Sequence, residues 1–259
     1  MFNKNYTFLI AEAGVNHNGK IKNAYELIDI ASDSGADAVK FQTFKAENLV
    51  LPGTRKVKYQ FKSSKDKEDH YQMIKKLELS YEDHKTLFKY CKKNKIIFLS
   101  TPYDVKSAKF LNKLGVKIFK TASADLIDYN LHNYLAKLKK PVIISTGMSS
   151  INDVKKTVQI YKKYKNFKIS LLHCVSNYPC SLKSINLNAL NSLKKFGFIV
   201  GYSDHSNDIM IPCLAVSAGS RIIEKHFTLN KNLKGPDHKA SFNTSELKKW
   251  LIKLEKPNW

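Results

Sequence analysis

Arginine is almost missing from this 259-residue chain. Only Arg55 and Arg221 stand among 44 basic residues, so a formal net charge of +22 is nearly all lysine. The lysines are spread along the chain, often as Lys-Lys pairs on helix-like segments. They read as solvated faces, and no nucleic-acid partner is expected. Their summed positive field still draws in small anions. Cysteine is scarce as well: Cys91, Cys174, Cys180 and Cys213 show neither CxxC nor zinc-finger spacing. In a chain of this length they are read as reduced intracellular thiols and not as a disulfide framework. No apolar run approaches the ~20 residues of a membrane span, because lysine interrupts each candidate. The opening MFNKNYTFLIAEAG has too short an apolar stretch for a signal peptide, and Glu12 would sit badly in one. A cytoplasmic protein with no membrane partner is the expectation. No low-complexity tract appears, and 43% hydrophobic residues exclude an intrinsically disordered chain. Neither GxGxxG nor a Walker loop occurs, which removes the usual phosphate cradle of a doubly wound open sheet.

What is present is an alternation of short β-branched or apolar runs with amphipathic, lysine-rich segments, the pattern of βα units on a parallel sheet. Strands are predicted at 6–13, 37–43, 96–102, 117–123, 141–147, 168–174, 198–204 and 221–227. A helical pattern follows each. In NAYELIDIASDSG, Ala24, Leu27, Ile28 and Ala31 share one face and Gly35 ends the helix. Eight such units predict an α/β fold: a single-domain (β/α)8 TIM barrel over residues 1–259. One connection, 44–80, far exceeds the ~2–6 residues usual for a βα loop. It is expected to form a lid or carry short helices, YQMIKKLEL being one candidate; a disordered insertion is the plainer alternative.

Active sites of this fold gather at the C-terminal ends of the strands. Those ends read Glu12; Lys40 and Gln42; Thr101; Lys120 and Ser123; Ser145; His173; Ser203 and His205; Glu224 and His226. Side chains alternate with period two, so Lys40 with Gln42, Ser203 with His205, and Glu224 with His226 each point one way. Lys120 and Ser123 differ in parity, so one of them acts from beyond its strand. His205 and His226 lie on sequential strands ~4.8 Å apart and are the metal candidates, with Glu224 or Asp237 as supplementary ligands and Asp204 among the carboxylates around them. Two hydrogen-bonded mouth histidines are the structural alternative. Lys40 and Lys120, with Thr101, Ser123, Ser145 and Ser203, form a receptor for a phosphate plus a carboxylate; a Schiff-base lysine is the competing reading. Glu12, within EAGVNHNG, is either a general acid or base or an acceptor for sugar hydroxyls. Asn16, His17 and Gly19 beside it suit a tight loop exposing donors. Asp237 in the GPDH turn suits hydroxyl recognition, or is an ordinary turn residue. Cys174 is a small buried hydrophobe, not a nucleophile.

EAGVNHNG, VKFQT, LSTPYD, FKTASAD, ISTGMSS, LLHCVSNYP, GYSDHS, EKHFT and GPDHKAS occur in one order along residues 6–255. Together they resemble the N-terminal barrel of the N-acetylneuraminate (sialic acid) synthase family, which includes legionaminate and pseudaminate synthases and a spore-coat polysaccharide relative. The resemblance implies a transferase that condenses phosphoenolpyruvate with an open-chain N-acetylated hexosamine (N-acetylmannosamine or a di-acetamido hexose). The products are a nine-carbon 2-keto sugar acid and phosphate, and the cofactor is Mn2+ or a similar cation. It implies metal ligation by His205 and His226, and phosphoenolpyruvate binding by Lys40, Thr101, Lys120, Ser123, Ser145 and Ser203. Sugar contacts fall to Glu12, Gln42, Tyr178 and Asp237, with Glu12 or Asp125 managing the proton of the attacking water. Asp125 stands where relatives often carry Glu, and Ser176 where a sialic acid synthase carries Asn. The family continues into a small antifreeze-like domain that reaches the partner's site in a swapped dimer. This sequence stops at LEKPNW, so a barrel lacking that domain is expected, with a homodimer or a separately encoded antifreeze-like domain as candidate partners. Rival readings are another phosphoenolpyruvate-aldose condensing enzyme and a non-catalytic barrel that binds metal or phosphosugar.

Overall fold

The apolar runs form eight parallel strands in a computed structural model that describes residues 6–57, 60 and 68–255. They are β1 (Phe8–Gly14), β2 (Ala38–Thr43), β3 (Ile97–Pro102), β4 (Phe119–Thr121), β5 (Val142–Ser145), β6 (Ile169–Cys174), β7 (Ile199–Asp204) and β8 (Ile222–His226). Their order in the sheet is β3-β2-β1-β8-β7-β6-β5-β4, and β3 and β4 lie side by side to bring the two edges together. The result is a nearly closed (β/α)8 barrel. Helices intervene: α1 (Ile21–Asp33), α2 (Ala46–Leu49), α3 (His70–Lys75), α4 (Tyr81–Lys93), α5 (Val105–Leu114), α6 (Tyr129–Lys137), α7 (Ile151–Lys163), α8 (Ala189–Lys194), α9 (Met210–Ser217) and α10 (Thr244–Glu255). The face of α1 predicted to be apolar is the one it buries. Ser80 with Asp83, and Ser150 with Asp153, close capping boxes that start α4 and α7 on backbone donors otherwise left open. Among the described residues no helix is long and apolar enough to cross a membrane.

Period two sorts the barrel interior into storeys. A lower storey is apolar: Phe8, Ile10, Ala38, Leu99, Ile118, Ile143, Leu172 and Ile222 pack on one another. Two residues further along each strand the inward positions turn polar, giving Glu12, Lys40, Thr101, Lys120, Ser145, Cys174, Ser203 and Glu224, all buried. Gly201 serves this arrangement, because a Cβ there would meet the backbone oxygen of Ile222 at 2.4 Å. Its absence lets β7 press against β8, with Ser203 in register with Glu224.

The long connection after β2 carries α2 and α3, the latter covering the first five residues of YQMIKKLEL and started by an Asp69 capping box. Phe44 and Leu77 from this segment pack on Val15, with Leu49, Ile74 and Tyr103 against them. The described part is thus folded onto the barrel mouth; residues 58–59 and 61–67 of the predicted lid lie outside the described residues.

Candidate active site

Eleven of the thirteen side chains given a role by the family resemblance line one cavity of about 540 Å³ at the C-terminal mouth: Glu12, Lys40, Gln42, Thr101, Lys120, Ser123, Ser145, Tyr178, Ser203, His205 and His226. Glu224, Ser176 and Cys174 join them. Lys40 Nζ lies 2.8 Å from Glu12 Oε2 and 3.7 Å from Glu224 Oε2, and donates to Thr101 Oγ1 at 3.1 Å. Lys120 Nζ donates to Ser145 Oγ at 2.5 Å and to the Thr121 carbonyl at 3.1 Å, with Glu224 Oε1 3.7 Å away. Ser203 Oγ donates to Glu224 Oε1 at 2.8 Å. As parity required, Lys120 stands on β4 while Ser123 acts from the 3-10 turn Ser123–Asp125 just past the strand. Ser123 Oγ accepts the Gly147 N–H at 3.0 Å and lies 2.9 Å from Cys174 Sγ. Gly14 makes room at the rim: a Cβ there would lie 3.2 Å from Glu12 Oε1, 3.3 Å from His226 Cε1 and 3.5 Å from Gln42 Nε2.

Two ammonium groups and two carboxylates thus share a buried layer, and they do not titrate alike. Burial raises the Glu12 carboxyl, against the pull of Lys40 and aided by Glu224, so it keeps a proton towards neutral pH. Burial pushes Glu224 the same way, but Lys120, Lys40 and the Ser203 hydroxyl outweigh it and hold this carboxylate ionised. The Lys40 ammonium is favoured overall, because Glu12 and Glu224 overcome its desolvation. Lys120 is pulled down by burial despite Glu224. With Glu12 protonated the floor carries a net positive charge, suited to an anion.

Asp125 and Asp237, the remaining two, line an adjoining chamber of about 380 Å³ with Val15, Phe44, Leu77 and Pro236. Gln42, Tyr178 and His226 face both chambers. Burial lifts the Asp237 carboxyl to about 6. Burial, with Asp128 nearby, lifts Asp125 to about 7, and its buried Oδ2 has no hydrogen-bond partner among the described residues. A proton that the unfolded chain releases near pH 4 is therefore retained by the folded state, so ionised Asp125 lowers stability progressively from pH 4 to pH 7. The cost is at most about 4 kcal/mol above that range. Asp125→Asn is expected to melt above the parent protein at pH 8, with the advantage fading towards pH 4. An advantage that did not change with pH, measured by thermal melts across that range, contradicts this account.

The two imidazoles stand close enough together to share a cation. Their ring centroids are 5.6 Å apart, within the roughly 6.5 Å that two rings with nitrogens ~2.1 Å from one ion can span. Val175 O engages His205 Nδ1 at 2.6 Å, which leaves Nε2 towards the cavity, where Ser203 Oγ is 3.5 Å away. His226 Nδ1 is buried with no hydrogen-bond partner among the described residues. Burial lowers His205 to about 4 and His226 well below its ordinary value, keeping both as neutral donors. Among the described residues no third His, Cys, Asp or Glu completes a protein-only cage. The residues thus fit an open site that leaves positions for water and substrate.

Three sequence expectations need correction. His173 points away from the cavity: Leu172 takes the inward position on β6, so His173 meets Ile185 O at 2.7 Å beside the Tyr202 ring. Asp204 is no partner of the imidazoles; opposite parity to Ser203 turns it outward to Lys225. Asn16 and His17 are buried and expose no donors. The Asn16 amide ties the first loop to Phe227 O and Ser241 Oγ, and His17 Nδ1 accepts the Gly19 N–H. Sequence reasoning also missed Gln60 and His70, which line both chambers from the long connection. Only the unusual length of that segment signalled them.

Comparison with known proteins adds an independent line. A match to the NeuB family spans residues 27–256. The N,N'-diacetyllegionaminic acid synthase of Campylobacter jejuni is 48% identical over 245 residues, 93% of this chain and 73% of that protein. Its namesake from Legionella pneumophila is 46% identical over 246 residues, 93% of this chain and 69% of that protein. The crystal structure of the N-acetylneuraminic acid (sialic acid) synthetase from Leptospira borgpetersenii, in complex with citrate, superposes with a TM-score of 0.87 at 37% identity, covering 98% of this chain and 84% of that one.

Proposed function

Since the chain belongs to the NeuB family and is a synthase of the transferase type, we propose that it condenses phosphoenolpyruvate with the open-chain form of a di-acetamido hexose, releasing phosphate and a nine-carbon 2-keto sugar acid. The observation that carries this reading is the polar storey, in which two buried lysines and a ring of hydroxyls lie over an apolar floor. Lys40 and Lys120, with Thr101, Ser123, Ser145 and Ser203, hold the carboxylate and phosphate of phosphoenolpyruvate. Gln42, Tyr178 and Asp237 orient the sugar, whose acetamido methyl groups suit the apolar lining from Val15, Phe44 and Leu77. The two diacetyllegionaminic acid synthases among the relatives support the di-acetamido choice over N-acetylmannosamine.

C3 of phosphoenolpyruvate forms a bond to the sugar aldehyde carbon, whose oxygen gathers the negative charge and takes a proton from the Glu12 carboxyl, which is thereby ionised. C2 becomes oxocarbenium-like and is captured by water. The tetrahedral intermediate then breaks its C2–O bond to the phosphate, and the departing phosphate takes the proton of the C2 hydroxyl as the 2-keto group forms. Mn2+ held by His205 and His226 would supply Lewis-acid polarisation of the aldehyde. The chain's own groups supply charge matching and position. Once ionised, Glu12 takes the water's proton, since a carboxyl poised near neutrality suits that task; Asp125, in the outer chamber, is the alternative acceptor. Single-turnover release of phosphate from phosphoenolpyruvate with Mn2+ and a sugar panel tests the proposal. One equivalent released with a di-acetamido hexose, and less with N-acetylmannosamine, is expected. No release with any sugar, even after adding a separately expressed antifreeze-like domain, overturns it in favour of a binding barrel.

A further inference from the structure

The outward faces of β7 and β8 carry an ion pair that no step of the chemistry uses. Asp204 and Lys225 face each other in register, one residue beyond the Ser203 and Glu224 pair on the inward side. Both side chains are fully buried, with Lys225 Nζ 2.8 Å from Asp204 Oδ2. Asp204 also accepts the Ser206 N–H at 3.0 Å and the Ser206 hydroxyl at 3.1 Å, while Lys225 donates to the Ser206 carbonyl and sits 4.2 Å from the Phe242 ring centroid. Phe242 N donates in turn to His226 O at 2.8 Å. The network therefore grips the chain on both sides of His205, through residues 204 and 206, and borders His226 through residue 225 and the Phe242 backbone.

A buried pair of this kind contributes little net stability relative to apolar residues of the same volume, because desolvation offsets the attraction. What the network does supply is register: Lys225 joins the turn bearing one imidazole to the strand bearing the other at two points, Asp204 and the Ser206 carbonyl, while the two Ser206-to-Asp204 bonds stiffen the turn itself. We propose that Asp204 and Lys225 are positioning residues that hold His205 at the level of His226 and thereby set the affinity for a divalent cation. This rests on the metal reading under Proposed function.

The experiment measures Mn2+ binding by electron paramagnetic resonance, phosphoenolpyruvate binding by calorimetry without metal, and thermal melting, on the full chain. The double variant Asp204→Asn/Lys225→Met removes both charges without stranding either. It is expected to melt within a few degrees of the parent and to bind Mn2+ ten- to a hundredfold more weakly. Phosphoenolpyruvate binding should hold, because Lys40 and Lys120 stand on other strands. Should the double variant fail to fold, Asp204→Asn alone keeps an acceptor for Lys225 and is read the same way. Unchanged Mn2+ affinity in a folded variant overturns the proposal, as does joint loss of Mn2+ binding, phosphoenolpyruvate binding and melting temperature. If the parent protein itself binds no Mn2+, the metal reading falls and this inference falls with it, an outcome distinct from a variant that binds as the parent does.

Discussion

Replacing Lys120 by Met is expected to lower kcat/KM for phosphoenolpyruvate by about 10²- to 10³-fold, with a smaller change in KM for the sugar. The magnitude follows from the setting. Lys120 is 2% exposed, donates to Ser145, and stands 3.7 Å from Glu224. Truncating one member of a buried charge pair costs roughly 2–5 kcal/mol, much of it from the partner left behind. Glu224 would then keep only Lys40 as a close cation, beside the Ser203 hydroxyl, and its carboxyl would rise towards protonation. The floor loses positive charge where an anion must settle, and no other ammonium replaces it, since Lys40 is already shared between Glu12 and Glu224. Steady-state kinetics with both substrates varied separates the two constants. A variant that weakens sugar binding more than phosphoenolpyruvate binding contradicts the assignment of this lysine to the anion.

The histidines carry the second large effect. His205→Ala and His226→Ala are each expected to abolish Mn2+-dependent turnover, a loss of about three orders of magnitude or more if the cation supplies several kcal/mol of charge stabilisation. The fold should persist, because both rings sit at the mouth of the barrel and outside its packed apolar clusters. Melting curves and turnover before and after chelation give the comparison. Full activity in both variants after the metal is stripped removes the cation from the mechanism.

Much of this architecture was readable from residue spacing because two periods dominate it. Every predicted strand overlaps an observed one. The step from Ile10 to Glu12, Ala38 to Lys40, Leu99 to Thr101, Ile118 to Lys120 and Ile143 to Ser145 is visible in the letters alone as an apolar residue followed, two positions on, by a polar one. What the letters do not carry is register between strands distant in sequence. Glu224 therefore passed as a supplementary metal ligand, whereas its place between Lys40 and Lys120 makes it their counter-ion. Nor does a polar letter at a strand end reveal which way it faces, and His173 was misread for that reason. Gln60 and His70 lie ahead of the YQMIKKLEL helix candidate in the long connection, and nothing in the letters there tells that both turn in to the mouth. The division into an inner and an outer chamber depends on how Gln42, Tyr178 and His226 stand between them, a tertiary fact with no local signature.

The apolar storey beneath the lysines has a further consequence for traffic. It closes the cylinder from below, so a group held by the lysines has hydrocarbon under it and is approached from the mouth. Gln42, Tyr178 and His226, which border both chambers, stand beside that approach, so a molecule in the outer chamber lies next to whatever rests at the bottom.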